Sequence, residues 1–240
     1  MGSRSIYTKI LFASNTICLI FLLVIIIRED YPHRILSRFS TKSVYNYVNN
    51  LQYKQATDFY KVYSKTGNVV MLGDSLTSQI DWNELLNRTD TINRGIGGDV
   101  TEGFLNRMEY IYKVRPKICF ILGGGNDIMK NIPVDTTIKN LSIVIEGLKE
   151  HKILPVLESV LYSASDFRDS KIYNRKVKNL NKKLYDLAII HSIEWLDLNR
   201  ILAKNGTLRP EYSFDGIHLT RAGYLIWKQE LERILKKYNT

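Results

Sequence analysis

Five short strand candidates, spaced by longer stretches of helical periodicity, restrict this chain more than anything else in it. They are residues 69–72, 91–93, 118–122, 153–157 and 193–196. Residues 69–72 and 118–122 are apolar at every position, as strands buried on both faces are. Between and after the runs, apolar residues return at helical intervals. Ile138, Leu141, Ile145 and Leu148 follow an expected cap at Asp135, and Tyr173, Val177, Leu180, Leu184 and Leu187 follow Asp169. Tyr224, Trp227, Leu231, Ile234 and Tyr238 follow an expected cap at Thr220. Residues 53–63 read as an amphipathic helix packing beneath the first strand. These stripes are core faces rather than cofactor boxes. Strands that alternate with helices pair in parallel through right-handed crossovers, so a three-layer α/β/α sandwich is expected.

The domain plan follows from hydropathy. Residues 1–9 form a tail and residues 28–50 a juxtamembrane linker, and 51–240 form the globular domain. Residues 10–27 carry no charge and are almost wholly apolar. At roughly 1.5 Å per helical residue they nearly cross a hydrocarbon core of about 30 Å. This segment is expected to be a single-pass transmembrane anchor. A cleaved signal peptide is the rival reading, but the bulky residues 24–27 lack a small-residue cleavage pattern. Arg4 and Lys9 precede the span, and Arg34, Arg38 and Lys42 follow it. Orientation is therefore not fixed by flanking charge.

Net charge is +10, carried largely by dispersed residues such as Lys171, Arg175, Lys176, Lys178, Lys182 and Lys183. They fall on the polar side of a helix. A solvated helix face is the first reading; such a surface also suits anionic partners such as lipid headgroups or acidic polymers, and no nucleic-acid module accompanies it. The two cysteines, Cys18 and Cys119, are not expected to pair. The four histidines are scattered, so no metal site and no metal cofactor are expected.

Chemistry concentrates where strands end. Gly73, Asp74 and Ser75 close the first run, and a helix-compatible segment follows. A serine there projects from the carboxyl edge of the sheet, although Asp and Ser are also ordinary helix caps. Residues 93–99 and 123–127 are glycine-rich turns after later strands, and neither fits a phosphate-binding pattern. Asp215-Gly-Ile-His218 precedes the final helix. Taken singly, each has a structural explanation. Together they supply acyl transfer from an ester: a Ser75 hydroxyl, a His218 base and an Asp215 that orients the imidazole from three residues away. The backbone N–H groups of Gly98 and Ser75 and the Asn126 amide are candidate oxyanion donors.

These four blocks, in this order, resemble the SGNH, or GDSL, hydrolase family. Gly73-Asp-Ser-Leu76 matches its nucleophile block, Gly98 its glycine, Gly124-Gly-Asn-Asp127 its G-x-N-D block and Asp215-x-x-His218 its terminal block. The wording around them is most similar to platelet-activating-factor acetylhydrolase-like esterases, and the resemblance covers about residues 52–238. It makes residues 51–240 an SGNH hydrolase domain. It implies a flavodoxin-like sheet, no metal cofactor, Ser75 as nucleophile, His218 as base, Asp215 as orienting acid, and Gly98 and Asn126 as oxyanion donors. A third glycine, Gly123, departs mildly from the pattern. No G-x-S-x-G motif is present, which argues against an ordinary α/β-hydrolase.

Asp74 and Asp127 are expected to bond loop backbone, Arg94 to lie at the surface or anchor a loop, and residues 159–169 to cover the site. The expected activity is hydrolysis of a small acyl ester, acetyl foremost, of a carbohydrate or lipid. An O-acyltransferase using the same triad is the alternative, and an inactive binding module the third reading. By analogy with anchored hydrolases, the domain is expected outside the cytoplasm.

Overall fold

The computed structural model describes residues 45–240. The expected tail, the anchor at 10–27 and most of the expected linker lie outside these residues. Among the described residues, no helix is long and apolar enough to cross a membrane. Residues 45–240 form one compact unit.

Its elements alternate as follows. Helix α1 (Leu51–Val62) leads to β1 (Val69–Gly73), α2 (Ser75–Ser78), α3 (Trp82–Leu86) and β2 (Thr91–Gly95). Then come α4 (Thr101–Leu105), α5 (Glu109–Tyr112), β3 (Ile118–Leu122), α6 (Gly125–Met129) and α7 (Val134–Glu150). The chain continues through β4 (Leu154–Glu158), α8 (Ser170–His191), β5 (Glu194–Leu196) and α9 (Asn199–Leu202). A small antiparallel pair, β6 (Ala203–Lys204) and β7 (Thr207–Leu208), precedes the last helix, α10 (Arg221–Lys237).

Strands β1–β5 form one parallel sheet in the order β2-β1-β3-β4-β5. This is the flavodoxin-like order, and its direction reverses between β1 and β3. Alternation along β1 sorts the core into two layers. Val70 and Leu72, with Cys119, Ile121 and Leu157, meet Leu141, Val144 and Leu148 of α7 and Val177, Leu180 and Leu184 of α8. Val69 and Met71, with Ile118, Phe120 and Val156, meet Trp82 and Leu86 of α3 and Trp227, Leu231 and Ile234 of α10. With helices on both faces, every residue of β1 and β3 is buried.

Element boundaries differ from expectation where local hydrogen bonding decides them. Pro133, not Asp135, caps α7, and Asp135 sits in its first turn, paired with Lys183. Asp169 precedes α8 at φ 58° without a side-chain cap bond. Thr220 does cap α10, accepting from the Gly223 N–H. Helix α1 starts early because the Asn50 side chain accepts from the Gln52 N–H. It does not pack beneath β1. Tyr53 and Tyr60 close instead on Ile96, in the loop after β2, because the Tyr53 hydroxyl bonds the Gly103 carbonyl and Arg94 lies 4.4 Å from the Tyr60 ring centre. Arg94 is accordingly buried rather than at the surface.

Candidate active site

Three of the expected site residues come from successive strand ends at the sheet's direction reversal. Ser75 follows β1, Gly98 follows β2 and Asn126 follows β3. Ligand sites of open α/β sheets lie at this edge because the flanking crossovers diverge there and leave a crevice. The other two, Asp215 and His218, come from the loop before α10. That loop is held by an isolated bridge between Ser213 and Leu219 and by the Ser213 hydroxyl donating to the His218 carbonyl at 2.8 Å.

The geometry brings the three triad residues into one line. His218 Nε2 lies 3.0 Å from Ser75 Oγ. His218 Nδ1 lies 2.6 Å from Asp215 Oδ2. With Nδ1 protonated toward the carboxylate, Nε2 is left to accept from the serine hydroxyl. Asp215 Oδ1 also accepts from the Ile217 N–H at 2.9 Å and the His218 N–H at 2.8 Å. Partial burial pushes the Asp215 carboxyl up, but the His218 ring and these two N–H groups outweigh it and hold the carboxyl at about 2.

Gly98 and Asn126 face the same cleft. Gly98 has φ 71°, the left-handed region where a Cβ is strained. This turn leaves its N–H, like that of Ser75, without a hydrogen-bond partner among the described residues. The Asn126 Nδ2 donates to the Asp99 carbonyl at 2.9 Å, which fixes the plane of the amide. The cleft has a volume of about 460 Å³ and is bordered by Gln52, Gly98, Asn126, Phe167 and His218. A side pocket of about 30 Å³ opens beside Ser75 and Asn126, walled by Leu76, Leu161, Tyr162 and Tyr173. Residues 159–169 thus supply walls to both.

Asp74 and Asp127 are committed to the frame. Asp74 caps α2 by accepting from the Leu76 N–H, and burial pushes its carboxyl up to about 7. Asp127 accepts from the Thr101 N–H and from the hydroxyls of Thr101 and Thr137. Among the described residues, no three His, Cys, Asp or Glu side chains are grouped to hold a metal ion.

Two contributors have no motif. Arg107 is fully buried and donates to the Asp99 carboxylate at 2.9 Å. Gln52 borders the cleft from α1, where only its position beside the Asn50 cap hints at a role.

The chain is similar to several known proteins. The chain is 24% identical over 194 residues to the N-acylneuraminate cytidylyltransferase of Streptococcus agalactiae serotype III, a match covering 81% of this chain and 44% of that protein. The chain therefore spans less than half the length of that relative. It is 29% identical over 168 residues to the platelet-activating factor acetylhydrolase IB subunit alpha1 of Rattus norvegicus, covering 67% of this chain and 71% of that one. A solved GDSL-like lipase from Bacteroides thetaiotaomicron superposes with a TM-score of 0.69 at 26% identity, covering 80% of this chain and all of its own. The model of the GDSL-like lipase/acylhydrolase family matches residues 71–226. This chain belongs to the GDSL-like lipase/acylhydrolase family.

Proposed function

We propose that the protein is a serine esterase that removes a small acyl group, acetyl foremost, from an oxygen of a carbohydrate or lipid. The observation that carries this reading is the unbroken line from Ser75 Oγ through the His218 ring to the Asp215 carboxylate.

Each partner has a defined task. Ser75 Oγ attacks the ester carbonyl while His218 Nε2 takes its proton. Asp215 orients the ring and stabilises the imidazolium, a role its low-lying carboxyl suits because it stays ionised throughout the working range. The carbonyl oxygen becomes an anion that the Gly98 and Ser75 N–H groups and the Asn126 amide can meet, and losing one such donor costs ~10²–10³ in turnover. His218 then protonates the departing alcohol, leaving an acyl-serine. Water enters, gives its proton to His218 and attacks the acyl carbon. Collapse releases the carboxylic acid and returns the proton to Ser75. A sugar hydroxyl in place of that water would make the protein an O-acyltransferase.

The small side pocket supports acetyl. A site needs roughly 10–15 Å³ of this measure to hold one water. At about 30 Å³ it holds two or three atoms of that size, which suits a short acyl chain with acetyl foremost. The name of the rat relative, an acetylhydrolase, points the same way.

The full-length protein in detergent is expected to hydrolyse p-nitrophenyl acetate, and Ser75→Ala to abolish it. Equal turnover by the variant would reject the mechanism. Mass spectrometry with added sugar acceptors separates transfer from hydrolysis. We also propose that residues 10–27 anchor the domain, on the strength of their uncharged apolar run, and that the domain lies outside the cytoplasm, by analogy with anchored hydrolases. External protease should then digest the domain on intact cells, and protection from it would exclude that orientation.

A further inference from the structure

The cleft does not end at Gly98. It continues into an arm of about 340 Å³ that shares Gln52, Gly97 and Gly98 with it and runs on to Asn49, Lys130 and Tyr45. One wall of this arm is the first stretch of the compact unit, residues 45–52. Its residues divide into those already committed and those still available for a ligand.

Asn50 is committed. Its Nδ2 donates to the Gly97 carbonyl at 2.8 Å and its Oδ1 accepts from the Gln52 N–H at 3.0 Å. It clamps the loop that carries Gly98 onto the start of α1. Gln52 crosses directly over Gly97, so closely that a Cβ there would collide with its carboxamide. Yet the carboxamides of Gln52 and Asn49 make no hydrogen bond among the described residues, and both side chains are exposed. At the far end, Lys130 Nζ sits 5.0 Å from the Tyr45 ring centre and forms no ion pair among the described residues. No acidic side chain borders this arm. In the main cleft, the one bordering carboxylate is Asp215, already engaged by His218 and Ile217.

A carboxamide both donates and accepts, which suits a hydroxyl and is wasted on a hydrocarbon. An ammonium with no carboxylate beside it suits an anion. We propose that this arm binds the alcohol half of the substrate and that this alcohol is an acidic sugar. Its hydroxyls face Gln52 and Asn49, and its carboxylate faces Lys130. The proposal rests on the esterase reading. With the acyl methyl in the side pocket, the alcohol has only the open cleft to occupy. A lipid alcohol would need an apolar wall instead. The candidate is the opposite groove past Met129 and Phe167, where Ile172 is half exposed.

The test uses the full-length enzyme and four acetyl esters. They are a mono-O-acetylated methyl hexuronoside, its neutral hexoside counterpart, p-nitrophenyl acetate, and an acetylated ether phosphocholine in vesicles. The wild type should prefer the uronoside to the hexoside by about threefold in kcat/KM, mostly through KM, as a partly exposed charge pair allows. Added salt should shrink that preference. Lys130→Met should erase it. Gln52→Leu should lower kcat/KM on both sugar esters, relative to p-nitrophenyl acetate, by about three- to tenfold, the worth of one hydrogen bond. An unchanged preference in Lys130→Met, or an unchanged ratio in Gln52→Leu, overturns the proposal. So does a lipid ester preferred over both sugars and sensitive to Ile172→Ser. The esterase reading is judged separately, by whether Ser75→Ala still cleaves p-nitrophenyl acetate.

Discussion

The guanidinium of Arg107 donates from Nη2 to the carbonyl oxygen of Gly73 at 3.1 Å, two residues before Ser75. The same group holds the Arg94 carbonyl at 2.7 Å and the Asp99 carboxylate at 2.9 Å. One buried cation therefore ties the ends of β1 and β2 to the residue after Gly98.

Replacing Arg107 with Met should cost about 3–5 kcal/mol, because Asp99 would lose its counterion inside the core and have to stay charged there or take up a proton. Burial already pushes the Asp99 carboxyl up to about 6 even with Arg107 beside it. Urea denaturation measures the loss, and adding Asp99→Asn should restore part of it. A loss below about 1 kcal/mol would show that the pair is not holding the frame.

Glu158 ends β4 almost fully buried, accepting from Trp227 Nε1 at 2.9 Å. Burial pushes its carboxyl up to about 8. The folded state then keeps a proton that the unfolded chain has already lost. Stability from this residue is fully present below the unfolded value, near 4.5, and falls as pH rises to about 8. Asp74 and Asp99 pull in the same direction. Glu158→Gln should therefore narrow the drop in Tm between pH 5 and pH 8 by about 5 °C or more, with on the order of 3 kcal/mol at stake. Parallel melting curves for variant and wild type across that range would contradict the assignment.

Leu161 walls the pocket beside Ser75 and is buried. Leu161→Ala should open space for a longer acyl chain. Competition between p-nitrophenyl butyrate and acetate should shift toward butyrate by about tenfold or more, since each accommodated methylene is worth ~1–3 kcal/mol. The same truncation should cost about 2–5 kcal/mol of stability. An unmoved ratio in a folded variant would place the acyl group elsewhere.

Ser75, Gly98 and Asn126 were legible in the sequence because each lies in a turn shortly after a strand candidate, where a chain leaving the sheet must turn at its carboxyl edge, and because each fits a motif block. Asp215 and His218 were legible because three-residue spacing ahead of a helix lets one side chain reach the other. Arg107 was not, since its partners are mainly main-chain carbonyls, which leave no residue pattern. Glu158 was not legible either, because its partner Trp227 comes from a helix far along the chain. The Gln52 wall depends on α1 docking against the loop after β2, a packing choice made by Tyr53 and Tyr60 at a distance. Asp135 misled because a carboxylate in a first turn and one at a cap look alike in sequence.

The hydroxyl of Ser75 and the imidazole it meets stand 143 positions apart in the chain. Docking of α10 brings them together, with Trp227 reaching Glu158 and the Tyr224 hydroxyl reaching the Leu76 carbonyl at 2.7 Å. During synthesis, the strand that ends before Ser75 leaves the ribosome long before His218 exists. The contact between Ser75 and His218 therefore closes only once α10 has docked, and turnover in a refolding sample should return no earlier than the burial of Trp227.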